Sequence, residues 1–195
     1  AMVPTFKAVA DHALLVTFAD SISAAAHAWV RALDASLADA PPQGMIETVP
    51  ALVNLLVMFD PVLTDADQVQ RGVQDHLVGL VPQTSDGVQR VVQGCYDADL
   101  APELGAVAST VGLETQAVIA AHLAGDYRAL MYGFSPGYAY LSGVANPIQV
   151  PRKPAAVRDV AAGSVIIAGP QCLVTTLTMP TGWSVIGRSP TPLLT

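Results

Sequence analysis

Ala13-Leu14-Leu15-Val16-Thr17-Phe18 is an apolar run of strand length, and the period of the sequence changes just after it. A short continuous apolar run of this kind reads as a buried strand. Ser21 then offers a helix cap, and Ile22, Ala25, Ala26, Trp29, Val30, Leu33 and Leu37 recur along one helical stripe. Pro41-Pro42 and Gly44 end that helix. Working outward, Met45–Val49 and Leu52–Phe59 are two strand-like runs with Pro50 at the turn between them. Thr64 or Asp65 caps a second helix that carries Val69, Val73, Leu77 and Leu80 on one face. Ser85-Asp86-Gly87 reads as a turn and Val88–Cys95 as a strand. The order β-α-β-β-α-β over residues 1–95 is the split βαβ, or ferredoxin-like, pattern of an α+β domain.

The texture changes from residue 96 onward. Pro102 suits the first turn of a helix bearing Leu104, Val107, Ala108 and Val111, with Gly112 as its stop. A second short helix runs through Val118, Ile119 and His122 and stops near Gly125. After Tyr127 the chain is rich in Gly and Pro, with β-prone runs at Ser164–Ala168 and Leu173–Leu177. Residues 96–195 are therefore expected to form a second domain, a small β-barrel or sandwich.

Composition narrows the function classes. Hydrophobic residues make up 52% of the 195 and charged residues 13%, which gives enough apolar side chain for a filled core and excludes a disordered chain. So little charge also leaves room for a buried partner surface. The net charge of −7 argues against nucleic-acid and membrane binding. The acid is uneven: residues 1–100 hold 12 acidic against 4 basic side chains, whereas from Tyr127 onward Asp159 stands alone against Arg128, Arg152, Lys153, Arg158 and Arg188. Arg152-Lys153 lacks an aromatic stacking array and is expected to hold a loop or face a carboxylate. Cys95 and Cys172 make neither a disulfide framework nor a metal spacing, so no metal site is expected and a reducing, cytoplasmic setting is. No leader-like segment precedes Phe6, and no apolar run reaches the roughly 18 residues of a membrane span.

Gly133-Phe134-Ser135-Pro136-Gly137-Tyr138-Ala139-Tyr140-Leu141 is the densest motif. Gly and Pro fix a tight loop there, whose backbone amides either face a ligand or simply shape a turn over core aromatics. Tyr138 and Tyr140 are expected on opposite faces of this segment. Ser135 lacks the spacing of a nucleophile elbow. Cys95 is expected to be a buried strand thiol rather than a nucleophile.

Further motifs follow in order: Pro151-Arg152-Lys153-Pro154, Arg158, Ala162-Gly163-Ser164-Val165, Ile167-Ala168-Gly169-Pro170-Gln171, and Gly182-Trp183-Ser184-Val185-Ile186-Gly187-Arg188-Ser189-Pro190. With the Gly-Phe-x-Pro-Gly segment, Cys95-Tyr96-Asp97, Val118-Ile119-x-x-His122, Tyr127-Arg128 and Asp11-x-Ala-Leu-Leu-Val, this series resembles the family of the 5-oxoprolinase B subunit and allophanate hydrolase subunit 1. That family also includes a sporulation-kinase inhibitor and part of the carboxyltransferase domain of urea carboxylase. The resemblance covers nearly the whole chain. It implies a cyclophilin-like β-barrel for residues 96–195. It also implies a partner protein, the C subunit (similar to allophanate hydrolase subunit 2), that shares the active cleft. The reaction implied is ATP-dependent opening of a small-molecule amide or lactam, such as 5-oxoproline to glutamate. The alternatives within the family are an allophanate or urea-carboxylase role and inhibition of a histidine kinase. No Gly-x-x-x-x-Gly-Lys-Ser/Thr loop is present, so ATP is expected on a partner polypeptide.

From the urea carboxylase relatives a polar trio carries over as Asp97, His122 and Gln171. Asp97 orients or deprotonates a nitrogen, or else caps a turn. His122 shuttles a proton, or else meets a helix dipole. Gln171 pairs with a planar amide, or else bonds within its loop. The trio is expected to line one concavity, with Gly137, Tyr138, Tyr140 and Arg152 contacting substrate and a tyrosine on the wall. The chain departs from the family beside Gln171, where Gln171-Cys172-Leu173-Val174-Thr175-Thr176 replaces Gln-Thr-Gly-Ile-Tyr-Pro, and at Met179-Pro180-Thr181-Gly182-Trp183, which replaces Ser-Pro-Gly-Gly-Trp. Relatives continue with another strand beyond Thr195; the expectation is that either the chain is trimmed or a partner supplies that edge.

Overall fold

The structure is a computed structural model and describes residues 2–84 and 87–193. Ser85 and Asp86, in the expected turn, lie outside the described residues. The chain divides into two compact units, residues 1–87 and 88–195.

The first unit runs β1 (Thr5–Val9), β2 (Ala13–Thr17), α1 (Ala24–Asp39), β3 (Met45–Ala51), β4 (Asn54–Phe59) and α2 (Ala66–Leu77). Its four strands form one antiparallel sheet in the order β1-β2-β4-β3. Alternate residues Leu14 and Val16 of β2, and Leu55, Val57 and Phe59 of β4, point to the helical side. There they meet Ala26, Val30, Leu33 and Leu37 of α1 and Val69 and Val73 of α2. The caps are Ser23, not Ser21, whose Oγ accepts from the Ala26 amide at 3.3 Å, and Asp65, which accepts from the Gln68 amide at 2.8 Å.

Two strand assignments change. Thr5–Val9 is a strand that the sequence pattern did not announce, because it is an edge strand with mostly exposed side chains and no apolar alternation. It pairs with β2 from Thr5↔Thr17 to Val9↔Ala13. In the split βαβ pattern the last strand lies beside the first of the motif; here β1 holds that edge. Val88–Cys95 forms no strand among the described residues; Cys95 makes a bridge with Arg188, and the Gln93 amide donates to Thr191 Oγ1 at 3.0 Å, both within the second unit. Pro50 sits inside β3 rather than at a turn, which an edge strand tolerates because its outer N–H has no partner to lose. The hairpin turn falls at Leu52-Val53, with Leu52 at φ 47.

The second unit opens with α3 (Leu104–Val111) and α4 (Thr115–Leu123), continues through β5 (Arg128–Tyr132), β6 (Ala139–Ser142) and a 3-10 turn (Asn146–Ile148), and ends with β7 (Val157–Val160), β8 (Ser164–Ala168), β9 (Gln171–Val174), β10 (Met179–Thr181) and β11 (Ser184–Arg188). Gly112 stops α3 in the left-handed region at φ 70. β11-β8-β9-β6-β5 form a five-stranded antiparallel sheet, and β10-β7 form a second of two strands. The expected strand Leu173–Leu177 begins two residues earlier and ends at Val174, because Thr175 turns back to donate its hydroxyl to the Ala161 carbonyl at 2.9 Å. The fold as a whole is mixed α/β with several sheets.

The β11-β8-β9 part of the five-stranded sheet is buried on both faces, whereas β5 is largely exposed. Val165 and Ile167 of β8, Cys172 and Val174 of β9, and Ile186 of β11 join Leu104, Val107, Val118 and Ile148 in the larger core. Ile166, Leu173 and Val185 face the other way, into a smaller cluster with Tyr138 and Val160. No single helix among the described residues is long and apolar enough to cross a membrane; α3 and α4 are bent by 95°.

Leu33 and Leu55 are fully buried in the first core. Truncating Leu33 to Ala should lower unfolding free energy by about 2–5 kcal/mol. Urea denaturation of the variant checks this, and a loss below about 1 kcal/mol would show that α1 does not pack as described.

Candidate functional site

His122 occupies the last turn of α4. Val118, one turn earlier on the same face, is fully buried, and the i, i+4 spacing carries His122 inward beside it at 6% exposure. The chain then turns through Ala124 and Gly125, with the Gly125 amide donating to the His122 carbonyl at 3.2 Å, and returns Tyr127 onto the imidazole. Tyr127 Oη lies 2.6 Å from His122 Nδ1 and 2.9 Å from the His122 carbonyl oxygen, to which it donates. The Tyr127 ring is tilted against the imidazole at 5.1 Å between centroids, and Tyr96 meets it edge-on at 5.9 Å.

Tyr96 is placed by the Cys95–Arg188 bridge, in which the Cys95 amide donates to the Arg188 carbonyl at 2.7 Å and the Arg188 amide returns the bond at 2.9 Å. Its ring lies over Gly187, where a Cβ would stand 3.1 Å from Tyr96 Cδ1. Burial raises the Tyr96 phenol, and the neighbouring Cys172 adds to this. Burial lowers His122 to about 4, so the ring is neutral at pH 7. It also pushes the Cys172 thiol up to about 12, which makes a thiolate nucleophile there costly. His122 Nε2 has no hydrogen-bond partner among the described residues and is not sealed from the surface.

Asp97 follows Tyr96 directly. It is exposed, its Oδ2 accepts from the Cys95 thiol at 3.3 Å, and its carbonyl accepts from the Leu100 and Ala101 amides. Asp97 and His122 thus share Tyr96 as a neighbour without a hydrogen bond between them among the described residues. Cys95 is half-buried, not enclosed.

Gln171 opens β9. It stands across from Ser142 of β6, which stands across from Arg128 of β5, so the three form one row at the end of the sheet. Tyr127 precedes Arg128, and Gly143, after Ser142, touches the Asp126–Tyr127 backbone. Gln171 thus lies at the same end of the sheet as Tyr127 but two strands away, and no hydrogen bond among the described residues joins it to His122, Tyr127 or Asp97. Strand alternation sets its direction: Cys172 and Val174 face the larger core, so Gln171 leaves from the other face with Leu173.

Tyr138 and Tyr140 lie on that other face too. Contrary to expectation they face the same way, as residues two apart in a strand must, with ring centroids 5.8 Å apart. Tyr138 is buried with Leu173 and Val185, and its hydroxyl reaches Met179 Sδ at 2.8 Å. Phe134, Tyr138, Tyr140 and Trp183 form a continuous aromatic series opposite the side that holds His122. Gly137 supplies the left-handed turn of that loop at φ 70. Arg152 is exposed and lies against Gly182, whose Cβ would stand 2.8 Å from Arg152 Nε. Its neighbour Lys153 does face a carboxylate: Nζ donates to Glu103 Oε1 at 2.5 Å, while Glu103 Oε2 accepts from the Val185 amide at 2.7 Å.

Two shallow clefts, ≈290 and ≈250 Å³, lie near Thr175–Thr191 and near Asp99–Arg158, and neither is lined by Asp97, His122 or Gln171. Among the described residues no group of three or more His, Cys, Asp or Glu could hold a metal ion. Tyr96, Tyr127 and the Glu103–Lys153 pair were not singled out as site residues. The available signal was Tyr127 lying five residues beyond His122 across a Gly turn.

The family model of the carboxyltransferase domain, subdomains C and D, matches residues 4–195, and the chain belongs to that family. Within it, the chain is 31% identical over 195 residues to the 5-oxoprolinase B subunit of Bacillus subtilis (strain 168), covering 94% of this chain and 81% of that protein. It is 28% identical over 184 residues to the protein of the same name from Escherichia coli O157:H7, covering 93% and 82%. The solved structure of TTHA0988 matches with a TM-score of 0.74 at 31% identity, over 92% of this chain and 35% of that longer one. Kluyveromyces lactis urea carboxylase matches with a TM-score of 0.77 at 13% identity, over 95% of this chain and 19% of that one, a likeness of fold alone. The chain thus spans about a third and a fifth of those solved polypeptides.

The buried imidazole makes a prediction about acid. Its folded pKa is depressed from 6.5 to about 4, so the unfolded chain binds the extra proton between those values. This contribution to stability is complete above about pH 6.5 and is lost as pH falls toward 4, on the order of 3 kcal/mol in all. Denaturation of wild type and His122→Gln across that window should give a flatter slope for the variant. Identical slopes would show that burial does not hold His122 neutral.

Proposed function

We propose that this chain is the B subunit of a 5-oxoprolinase-type amidohydrolase, which opens the lactam of 5-oxoproline to glutamate with ATP and together with a C-subunit partner. The observation that carries the reading is the match, along nearly the whole chain, to relatives named as the B subunit of 5-oxoprolinase. ATP is assigned to a partner polypeptide, since the sequence has no phosphate-binding loop of the Walker type. We read the first unit as ferredoxin-like, supported by its four-stranded antiparallel sheet under two helices, and the second as a cyclophilin-like barrel, supported by its two antiparallel sheets. The domain junction is assigned near residue 95.

The chemistry centres on His122. Lactam opening needs a proton taken from water and one returned to the leaving nitrogen. A neutral imidazole with one open nitrogen can serve both steps in turn. Asp97, joined to His122 through Tyr96, is assigned to orient a substrate N–H. Gln171, at the same sheet end, is assigned to pair with the planar amide, for which its side chain has both donor and acceptor. The aromatic series around Tyr138 and Tyr140 is assigned to the opposite face, as packing for the loop rather than as the wall of this site.

The test is reconstitution with the other two 5-oxoprolinase components, the C and A subunits, followed by an assay of ATP-dependent glutamate release from 5-oxoproline. The mixture should form one assembly in light scattering and turn over 5-oxoproline. His122→Ala should then cut turnover at least about 100-fold without loss of assembly. An assembly that consumes allophanate and leaves 5-oxoproline untouched would replace this reading. Activity of His122→Ala within about threefold of wild type would remove His122 from the chemistry.

A further inference from the structure

We propose that Tyr127 is the positioning residue that fixes His122 as its Nδ1–H tautomer, so that a bare Nε2 is the atom the imidazole presents outward. Tyr127 Oη carries one proton and has two close neighbours on the same residue, His122 Nδ1 at 2.6 Å and the His122 carbonyl oxygen at 2.9 Å. If the phenol proton points at Nδ1, two oxygens face each other at 2.9 Å with no proton between them. If it points at the carbonyl, Nδ1 must carry a proton and donate it to Oη, and both contacts are hydrogen bonds. The arrangement with both contacts bonded wins: the carbonyl also accepts from the Gly125 amide, so it is not left unpaired in the alternative, but two oxygens at 2.9 Å with no proton between them repel. The partner of one ring nitrogen thus decides the state of the other.

The surroundings hold this arrangement. Burial raises the Tyr127 phenol well above the usual tyrosine range, so its proton stays in place. Tyr96 and Tyr127 flank the imidazole at interplanar angles of 73° and 56°, which resists rotation of the ring. Two glycines clear the space for Tyr127. A Cβ on Gly125 would stand 2.7 Å from Tyr127 Cε2, and one on Gly143, at φ 120, would collide with the Asp126 carbonyl.

The consequence is directional. A bare Nε2 accepts a proton and cannot donate one until it has done so. His122 therefore begins as a base toward water or an N–H, and not as a donor to a carbonyl oxygen. That use rests on the amidohydrolase reading; the tautomer rests on geometry alone.

The experiment is long-range proton–nitrogen correlation NMR on the full chain with ¹⁵N-labelled histidine at neutral pH. His27 serves as an internal reference, since its Nδ1 lies 2.8 Å from the Leu52 carbonyl and must donate. His122, assigned by the signal lost in His122→Gln, should give the same protonated-Nδ1 pattern as His27. Tyr127→Phe, which keeps the ring, should move His122 toward the Nε2–H form. A wild-type spectrum with Nε2 protonated overturns the proposal, as does an unchanged tautomer in Tyr127→Phe. If that variant does not fold, the wild-type spectrum still decides. In the reconstituted assembly Tyr127→Phe should lower kcat by about tenfold or more with little change in KM; an inactive wild-type assembly would count against the lactam reading and leave the tautomer standing.

Discussion

The second unit depends on one constraint: β8 and β9 are buried on both sides. Val165 and Ile167 pair off against Ile166 along one strand, and Cys172 and Val174 against Leu173 along the next. A strand has only two faces and a period of two, so each residue is committed to one core or the other. A one-residue slip would exchange every member of the two clusters. The β8–β9 register, Val165↔Val174 through Ala168↔Gln171, therefore decides at once which side holds the imidazole and which holds the aromatic series.

That partition explains how a small helix can present a neutral histidine. α4 has nine residues and cannot bury His122 by its own stripe. Tyr96 and Tyr127 close around it instead, and both are held by backbone that leaves them no alternative: Tyr96 over Gly187 beside the Cys95–Arg188 bridge, Tyr127 against Gly125 and Gly143. The Glu103 carboxylate adds a tie between the start of α3 and β11 by accepting from Lys153 and from the Val185 amide together. Lys153 and Glu103 are only about a quarter exposed, so their attraction is screened less than a surface pair's would be.

The parts legible in the sequence are those where burial is periodic. The stripe of Ala26, Val30, Leu33 and Leu37, the run Ser164–Ala168 and the Gly112 stop all follow from local pattern. The edges were not legible. β1 has almost no buried side chain, so nothing in Thr5–Val9 marks it, whereas Val88-Gln89-Arg90-Val91-Val92 looks like a strand yet carries Val88 and Val91 at 75% and 82% exposure. Propensity favours such a segment, but the edge it would need is taken by β1, and a strand without a ladder has nothing to hold it. The site was legible in part. His122 could be placed at a helix end, but its partner Tyr127 returns only through a turn, and that turn is set by Gly125 and Gly143 jointly, 18 positions apart.

The placement of Gln171 constrains the proposed site. Gln171 and Cys172 are neighbours on opposite faces, and Tyr127 lies beside the row Arg128–Ser142–Gln171 at the end of the sheet. A ligand meeting both Nε2 of His122 and the amide of Gln171 must therefore cross that end rather than lie within either face. A sheet end offers no second wall of its own, and neither of the shallow clefts described above lies there. Positioned acid–base chemistry gains from excluding water, because charge interactions weaken steeply in a high dielectric. A group shared across an open sheet end becomes effective only when another surface covers it. If His122 and Gln171 act on one ligand, as proposed, a second surface over that sheet end is what would exclude water from it.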